Sequence, residues 1–369
     1  MEETQNKPFT PQEFTRLATN FYNSLNLTVD YNRIVMDSQL CNYIATHKED
    51  TKKKYKVALL SVCLNPEYWE YAKQMLDGAR QFFLPGHDVD VFLWSDMPKA
   101  DDEEGFKKAE EKLVILNQQL MANQTGSITS EQVSIALANA KGTIERAREG
   151  AKKAYESTIF PVESVEWPMP TLMRYHLYLQ QEEKLKEYDF IFHCDVDMLF
   201  VNVVGDEILG EGLTATQHPM YALSKEMWPP YEPNKESSAY IKRPGRLIND
   251  DGKPRFIPLY FAGGFQGGKT KKWIEAMKEM RKMIDADLAR GYMAIWNDES
   301  IWNKYLADNL NDKDVILTPS YIYPDSLIEE YYKPRWGVAY PPKLVTITKK
   351  HTLKQLTPEE QALVYRMKK

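Results

Sequence analysis

Apolar and polar positions along the chain divide it into strands, helices and connecting segments. VALLSVCL (57–64) is a continuous apolar run of strand length, the mark of a strand buried on both faces. Tyr68, Tyr71, Ala72, Met75, Leu76, Ala79 and Phe83 then recur at helical spacing. Pro85-Gly86 ends that helix, and VDVFLW (89–94) is a second strand. Strand, helix, strand predicts a βαβ unit, hence a parallel sheet with helices on both faces. Residues 101–157 change character. They are rich in Ala, Glu, Lys and Gln, nearly free of aromatics, and helical in pattern. NQTGSITS (123–130) breaks them in two, and Ser130 can cap the second half. The pattern predicts an inserted helical hairpin, read either as a solvated spacer or as a contact for a partner or acceptor.

The second half continues the alternation. A helix over WPMPTLMRYHLYLQ (167–180) leads into the apolar strand DFIFHCDVDMLFVN (189–202). IPLYFAGGFQGG (257–268) reads as a strand ending in a glycine-rich turn. A long helix follows at 269–290, with Trp273, Met277, Met280, Ile284 and Leu288 on one face. A shorter helix starts near Asn297, VILT (315–318) is a short strand, and 319–342 is an aromatic, Pro-rich loop. KLVTIT (343–348) is a last strand, leading to the basic cluster Lys349, Lys350, His351 and Lys354. Residues 1–54 read as an N-terminal extension with some helix around 11–25, residues 55–356 as one α/β domain, and 357–369 as a C-terminal helix.

Composition narrows the function. With 47 Lys+Arg against 53 Asp+Glu, the net charge is −6, which argues against broad phosphate neutralisation and so against a nucleic-acid binder. Cys41, Cys63 and Cys194 are too few and too scattered for a disulfide framework or a zinc site. That usage fits a reducing compartment. The N-terminal sequence lacks the basic and apolar regions of a signal peptide, and no run of about 18 apolar residues occurs. A soluble cytoplasmic protein without a membrane span is expected.

Four constellations carry candidate chemistry. Asp195-Val196-Asp197 places two carboxylates at i and i+2, which on a strand project to one side. Paired acids in an apolar strand call for a positive partner, and a divalent cation with hard oxygen ligands, Mg²⁺ or Mn²⁺, fits. GGFQGGKT (263–270) matches G-x-x-x-x-G-K-T, the phosphate-cradling P-loop. No apolar strand ending in an acid follows it, however, and glycine-rich turns also serve wherever backbone passes close to a ligand. Trp296-Asn297-Asp298-Glu299-Ser300 places two acids at a helix start, where they favour the helix dipole or line a sugar cleft beside an aromatic platform. Arg174 interrupts an apolar, aromatic stretch shortly before the acidic pair, where a half-buried guanidinium wants an anion.

Taken in order, these residues resemble glycosyltransferase family 6, the family of the blood-group A and B transferases and the α-1,3-galactosyltransferase. The resemblance rests on Pro-Gly-His (85–87), LMRYH around Arg174, FIFHCDVDMLF, HPMY (218–221) and KESSAYI (235–241), followed by YFAGGFQGG (260–268), IWNDESIWNKYL (295–306) and TPSYIYPD (318–325). It spans roughly residues 57–354 without the helical insertion, and it recasts the GGFQGGKT turn as the floor of a sugar pocket.

The resemblance implies a GT-A fold, with a Rossmann-like, mostly parallel central sheet flanked by helices, and a catalytic domain over 55–356. It implies a UDP-sugar donor, a glycan acceptor, Mn²⁺ or Mg²⁺ as cofactor, and retention of the α configuration. It assigns Asp195 and Asp197 to the metal, Tyr68 to the uracil of the donor, and Arg174, with Asp195, to the donor. Ala262, Gly263 and Gly264 fall to donor-sugar choice, Asp298 to the donor hexose and Lys349 to the diphosphate. His218, Trp296 and Glu299 fall to the acceptor and reaction centre, with Glu299 the catalytic carboxylate.

The chain departs from the family's pattern in places. Cys63 stands where the family usually has a phenylalanine, and Pro230 where the blood-group enzymes carry a threonine. Pro324 displaces the next aspartate to Asp325. The animal enzymes' anchor and stem have no counterpart, which resembles the bacterial or bacteriophage branch, although D-V-D stands where many bacterial members have N-x-N. The competing classes are a P-loop nucleotide hydrolase and a glycan-binding module without catalysis. The three small residues at 262–264 leave room for an acetamido group, which favours UDP-GalNAc over UDP-galactose as donor.

Overall fold

The computed structural model describes residues 53–125, 129–165, 167–222, 229–242, 246–248, 255–257, 260–325 and 342–347. Its centre is a seven-stranded sheet in the order β10-β6-β9-β4-β1-β2-β3. The strands are β1 (Lys56–Cys63), β2 (Asp88–Ser95), β3 (Thr158–Pro161), β4 (Phe190–Cys194), β6 (Leu213–Gln217), β9 (Phe261–Lys269) and β10 (Val315–Leu317). β1 pairs in parallel with β2 and β4, β2 with β3, and β10 with β6. β9 runs antiparallel to both its neighbours, β4 and β6. The architecture is therefore mixed α/β and mostly parallel, consistent with a GT-A-like fold. Strand β5 (Met198–Phe200) joins β11 (Tyr323–Pro324) and β12 (Leu344–Thr346) in a small second sheet, and β7 (Arg246–Ile248) pairs with β8 (Arg255–Ile257).

Both faces of the sheet are buried along β1, β4, β6 and β9, which is why β1 and β4 read as apolar runs rather than as alternation. Val57 and Leu59 of β1 face one core with Met75 and Leu76; Ala58 and Leu60 face the other with Trp273, Met277 and Trp302. The first core is covered by α1 (Pro66–Phe82), the second by α5 (Thr270–Ala289) and α6 (Asn297–Asn309). Helices α2 (Glu103–Thr125) and α3 (Ser130–Ala154) fill the region of the expected hairpin. They are no solvated spacer: Ala136, Ala140, Ile144, Ala147, Ala151 and Ala154 are buried, and small side chains let α3 lie close along α1. The cap of α3 is Thr129 rather than Ser130, in a reciprocal capping box with Gln132.

The predicted helix over 167–180 is broken into a turn at Met169–Leu172 and the short α4 (Arg174–Leu179). The glycine-rich segment is not a turn at all but the body of β9. The predicted N-terminal helix, Lys349, the basic cluster and the C-terminal helix lie outside the described residues. Among the described residues no helix is long and apolar enough to cross a membrane.

Candidate active site

The site is built around a break in the β6–β9 ladder. Ala215 pairs with Gln266, yet the next residue, Thr216, pairs with Ala262, so Gly263, Gly264 and Phe265 bulge out of register. The bulge frees polar backbone groups, and each finds a partner from a different segment. Gly263 N–H donates to Glu299 Oε2 at 2.9 Å. The Gly263 carbonyl accepts from Arg174 Nη1 at 3.2 Å and from Gln266 Nε2 at 3.0 Å. The Gly264 carbonyl accepts from Asp195 N–H at 2.8 Å. Gly264 lets neighbouring side chains come close: a Cβ there would stand 2.8 Å from Ile322 Cδ1 and 3.1 Å from Asp195 Oδ2, so those side-chain ends would have to shift.

Arg174, at the start of α4 and only 4% exposed, is the hub of the site's charges. Its Nη1 lies 3.2 Å from Asp195 Oδ1 and its Nε 3.2 Å from Asp298 Oδ2. The Asp298 contact is an ion pair rather than a directed hydrogen bond, because Nε donates to the Thr171 carbonyl at 3.1 Å. Burial works against the guanidinium charge, but Asp298 and Asp195 outweigh it and hold Arg174 cationic. Asp298 and Glu299 occupy the first turn of α6. Desolvation pushes Asp298 up to about 6 in spite of Arg174. It pushes Glu299 up to about 7 in spite of the Gly263 N–H.

The floor beneath this cluster is polar and buried. Gln266 is paired with His193 across the β4–β9 ladder, and both are essentially inaccessible. Gln266 Nε2 also donates to Tyr175 Oη at 3.2 Å, and Tyr178 Oη lies 2.7 Å from His193 Nδ1. On the other side His218 packs against Tyr221 and Tyr260, with ring centroids 4.9 and 5.8 Å away. Desolvation lowers His218 to about 4, so it is neutral at physiological pH. The Tyr260 hydroxyl is buried beside the Glu299 carboxyl, and burial first, then that carboxyl, push it far above the ordinary tyrosine range.

Arg174, Asp195, His218, Ala262, Gly263, Gly264, Trp296, Asp298 and Glu299 line one cleft of about 530 Å³. Trp167, Met220 and Trp296 form exposed apolar points at its rim. Tyr68 and Asp197 do not line it. Tyr68 is half-buried on α1 against Tyr71. The two D-V-D acids do not project from a strand, because β4 ends at Cys194 and Asp195–Asp197 form the turn into β5. Asp195 lines the cleft while Asp197 is buried, close to Cys63 and Cys194. Among the described residues no group of three or more His, Cys, Asp or Glu is placed to hold a metal. The D-V-D pair nonetheless offers only carboxylate oxygens, a donor set that fits Mg²⁺ or Mn²⁺ completed by ligand oxygens.

Residues 157–333 match the family model of glycosyltransferase family 6. The matched segment contains the whole arginine–carboxylate cluster and leaves out Tyr68 and Lys349. Relatives point the same way. The chain is 35% identical over 144 residues to globoside α-1,3-N-acetylgalactosaminyltransferase 1 of Gallus gallus, covering 39% of this chain and 38% of that protein. It is 27% identical over 271 residues to histo-blood group ABO system transferase 1 of Rattus norvegicus, covering 73% of this chain and 61% of that one. It is 27% identical over 168 residues to the O-antigen biosynthesis glycosyltransferase WbnI of Escherichia coli, covering 45% and 66%. The chain thus spans less than two thirds of the length of the first two.

The P-loop match fails on geometry. A phosphate cradle needs free amides in a loop, whereas residues 265–269 of β9 sit in the ladder with β4. Lys269 lies at the far end of β9, its ammonium 4.5 Å above the Phe190 ring. KESSAYI lines no part of the cleft. Its Ser237 hydroxyl and Ser238 N–H bind Asp287 at 2.7 and 2.8 Å, fixing the end of α5 before the Trp296 segment. Sequence reasoning missed Tyr175, Tyr178, His193 and Gln266. For His193 and Gln266 the available signal was polarity at strand positions that the apolar pattern marks as buried; Tyr175 and Tyr178, on α4, carried none beyond their place beside Arg174.

Proposed function

We propose that this protein is a family 6 glycosyltransferase. In this reading it moves an α-linked GalNAc or galactose from a UDP-sugar to a hydroxyl of a glycan, with retention at the anomeric carbon. The observation that carries the reading is the convergence of Arg174, Asp195, Asp298 and Glu299 on the Gly263–Gly264 bulge inside the family-matched segment. The names of the relatives, which include α-1,3-N-acetylgalactosaminyl transfer, support the sugar class.

In the reaction the bond between the anomeric carbon and the UDP oxygen breaks, and its electrons leave with the diphosphate. The acceptor oxygen then bonds to the anomeric carbon on the same face, and its proton passes to the departing diphosphate oxygen. Glu299, held by the Gly263 N–H, supplies the carboxylate that offsets positive charge on the anomeric carbon. Arg174 and Asp298 orient the donor hexose and pyrophosphate end, and Trp296 offers an apolar face to the acceptor sugar. Asp195 and Asp197 would hold Mn²⁺ or Mg²⁺, which when bound stabilises the charge of the departing diphosphate. Lys349, outside the described residues, is assigned the same task from the C-terminal side.

The test is UDP release across UDP-GalNAc, UDP-Gal, UDP-Glc and UDP-GlcNAc, with and without Mn²⁺ and a glycan acceptor. Release of UDP from a galactose-type donor, with a glycosylated acceptor as product, is the expected result. Binding of sugar with no UDP release from any donor would make the chain a glycan-binding module instead.

A further inference from the structure

His193 is 1% exposed and does not line the cleft, yet it touches two residues that do, Arg174 and Asp195, as well as Tyr178. Its Nδ1 lies 2.7 Å from Tyr178 Oη, and its Nε2 lies 3.0 Å from Asp195 Oδ1. The same Nε2 meets Arg174 Nη1, which itself reaches Asp195 Oδ1 at 3.2 Å. One oxygen of Asp195 is therefore turned inward, onto His193 and Arg174. The other, Oδ2, is the atom that a Cβ on Gly264 would meet at 3.1 Å, and Gly264 lines the cleft. The carboxylate has an inner and an outer oxygen.

A carboxylate torsion is broad and nearly two-fold, so nothing intrinsic to aspartate fixes this orientation. A carboxylate beside a guanidinium also tends to turn so that both oxygens meet the fork of nitrogens. Such a bidentate pair would withdraw Asp195 from the cleft. The imidazole stands against this rotation, and Tyr178 fixes the imidazole.

We infer that His193, backed by Tyr178, is a positioning residue that keeps Oδ2 of Asp195 facing the cleft, where a nucleoside diphosphate with its cation would meet it. The identity of that ligand rests on the glycosyltransferase reading; the orientation of Asp195 does not.

Two measurements test the inference on wild type, His193→Phe, His193→Gln and Tyr178→Phe. One is the crystal structure of each unliganded protein; the other is calorimetric titration with UDP in Mn²⁺, set beside kcat at saturating donor. In His193→Phe the Asp195 carboxylate should swing onto Arg174 and UDP–Mn²⁺ binding should weaken about 10–100-fold, the scale of outer-shell losses at metal sites. Its kcat should fall by a smaller factor than its affinity, since Glu299 keeps its bond to the Gly263 N–H. His193→Gln, whose amide reaches the same oxygen, should recover most of the affinity. A merely structural role would lower thermal stability and kcat together, with no recovery by Gln. Should His193→Phe fail to fold, Tyr178→Phe carries the test through an intermediate loss of affinity. An unmoved Asp195 with unchanged UDP affinity in the folded variants overturns the inference. A wild type that binds no UDP overturns the glycosyltransferase reading instead, and the crystal structures still decide the orientation of Asp195.

Discussion

The backbone N–H of Gly263 donates to Glu299 Oε2 at 2.9 Å, joining the bulge of β9 to the first turn of α6. Glu299→Gln keeps the shape and an acceptor for that N–H but removes the charge. Its sugar-transfer kcat should fall by about 100-fold or more, the scale of losing one aimed electrostatic group, with little change in UDP affinity. Wild-type turnover in Glu299→Gln would remove Glu299 from the chemistry.

The same carboxyl makes stability and activity depend on pH in opposite directions. In the fold Glu299 titrates near 7 and Asp298 near 6, both above their ordinary values because burial disfavours the charged form. Between the ordinary carboxylate range and pH 7 the native state holds more protons than the unfolded state, so stability falls as pH rises through this window. Thermal melts of wild type should decline from pH 5 to 7.5, and Glu299→Gln should show a shallower decline. Activity needs the ionised carboxylate, so kcat/KM should rise over the same interval, a limb lost in Glu299→Gln.

Donor choice should respond differently at two adjacent glycines. A Cβ on Gly263 would lie 3.5 Å from Asp298 Oδ2 and 3.6 Å from Glu299 Cβ, ordinary contacts that narrow the cleft without moving its walls. On Gly264 the Cβ would press on Ile322, Asp195 and Met198. Gly263→Ala should therefore shift the ratio of specificity constants toward UDP-galactose, by about 1–3 kcal/mol or some tenfold. Gly264→Ala should weaken both donors alike. A wild type that strongly favours galactose would defeat the steric argument.

Arg174 neutralises two acids at once, so its loss strands both. Arg174→Met should destabilise the protein by about 3–5 kcal/mol, the cost of leaving a buried charge unpaired, measured by denaturant unfolding. A loss under about 1 kcal/mol would mean that the acids are protonated or hydrated in the native state.

Metal and P-loop readings part at two simple experiments. EDTA should sharply reduce UDP binding and turnover, and Mn²⁺ should restore them. Lys269→Ala should leave UDP-sugar turnover unchanged and cost only about 0.5–1 kcal/mol of stability from its cation–π contact with Phe190. ATP or GTP hydrolysis abolished by Lys269→Ala would revive the nucleotide-hydrolase alternative.

The sequence by itself determined the layered α/β plan, because burial on both faces forces continuous apolar runs such as VALLSVC and FIFHC. It also marked Arg174, Asp195, Asp298 and Glu299, since charge in apolar surroundings is costly unless it is used. Only the tertiary structure decided how those charges are arranged. The GGFQGG segment could be a turn or a strand by local rules, and pairing with β4 and β6 made it a bulged strand. Asp195 and Asp197 were equivalent by spacing, until the end of β4 at Cys194 left Asp195 lining the cleft and Asp197 buried two residues on. His193 and Gln266 are 73 residues apart in the chain, and only the antiparallel register of β4 and β9 sets them side by side beneath the site. Such pairings depend on non-local contacts, which no pattern of neighbouring residues encodes.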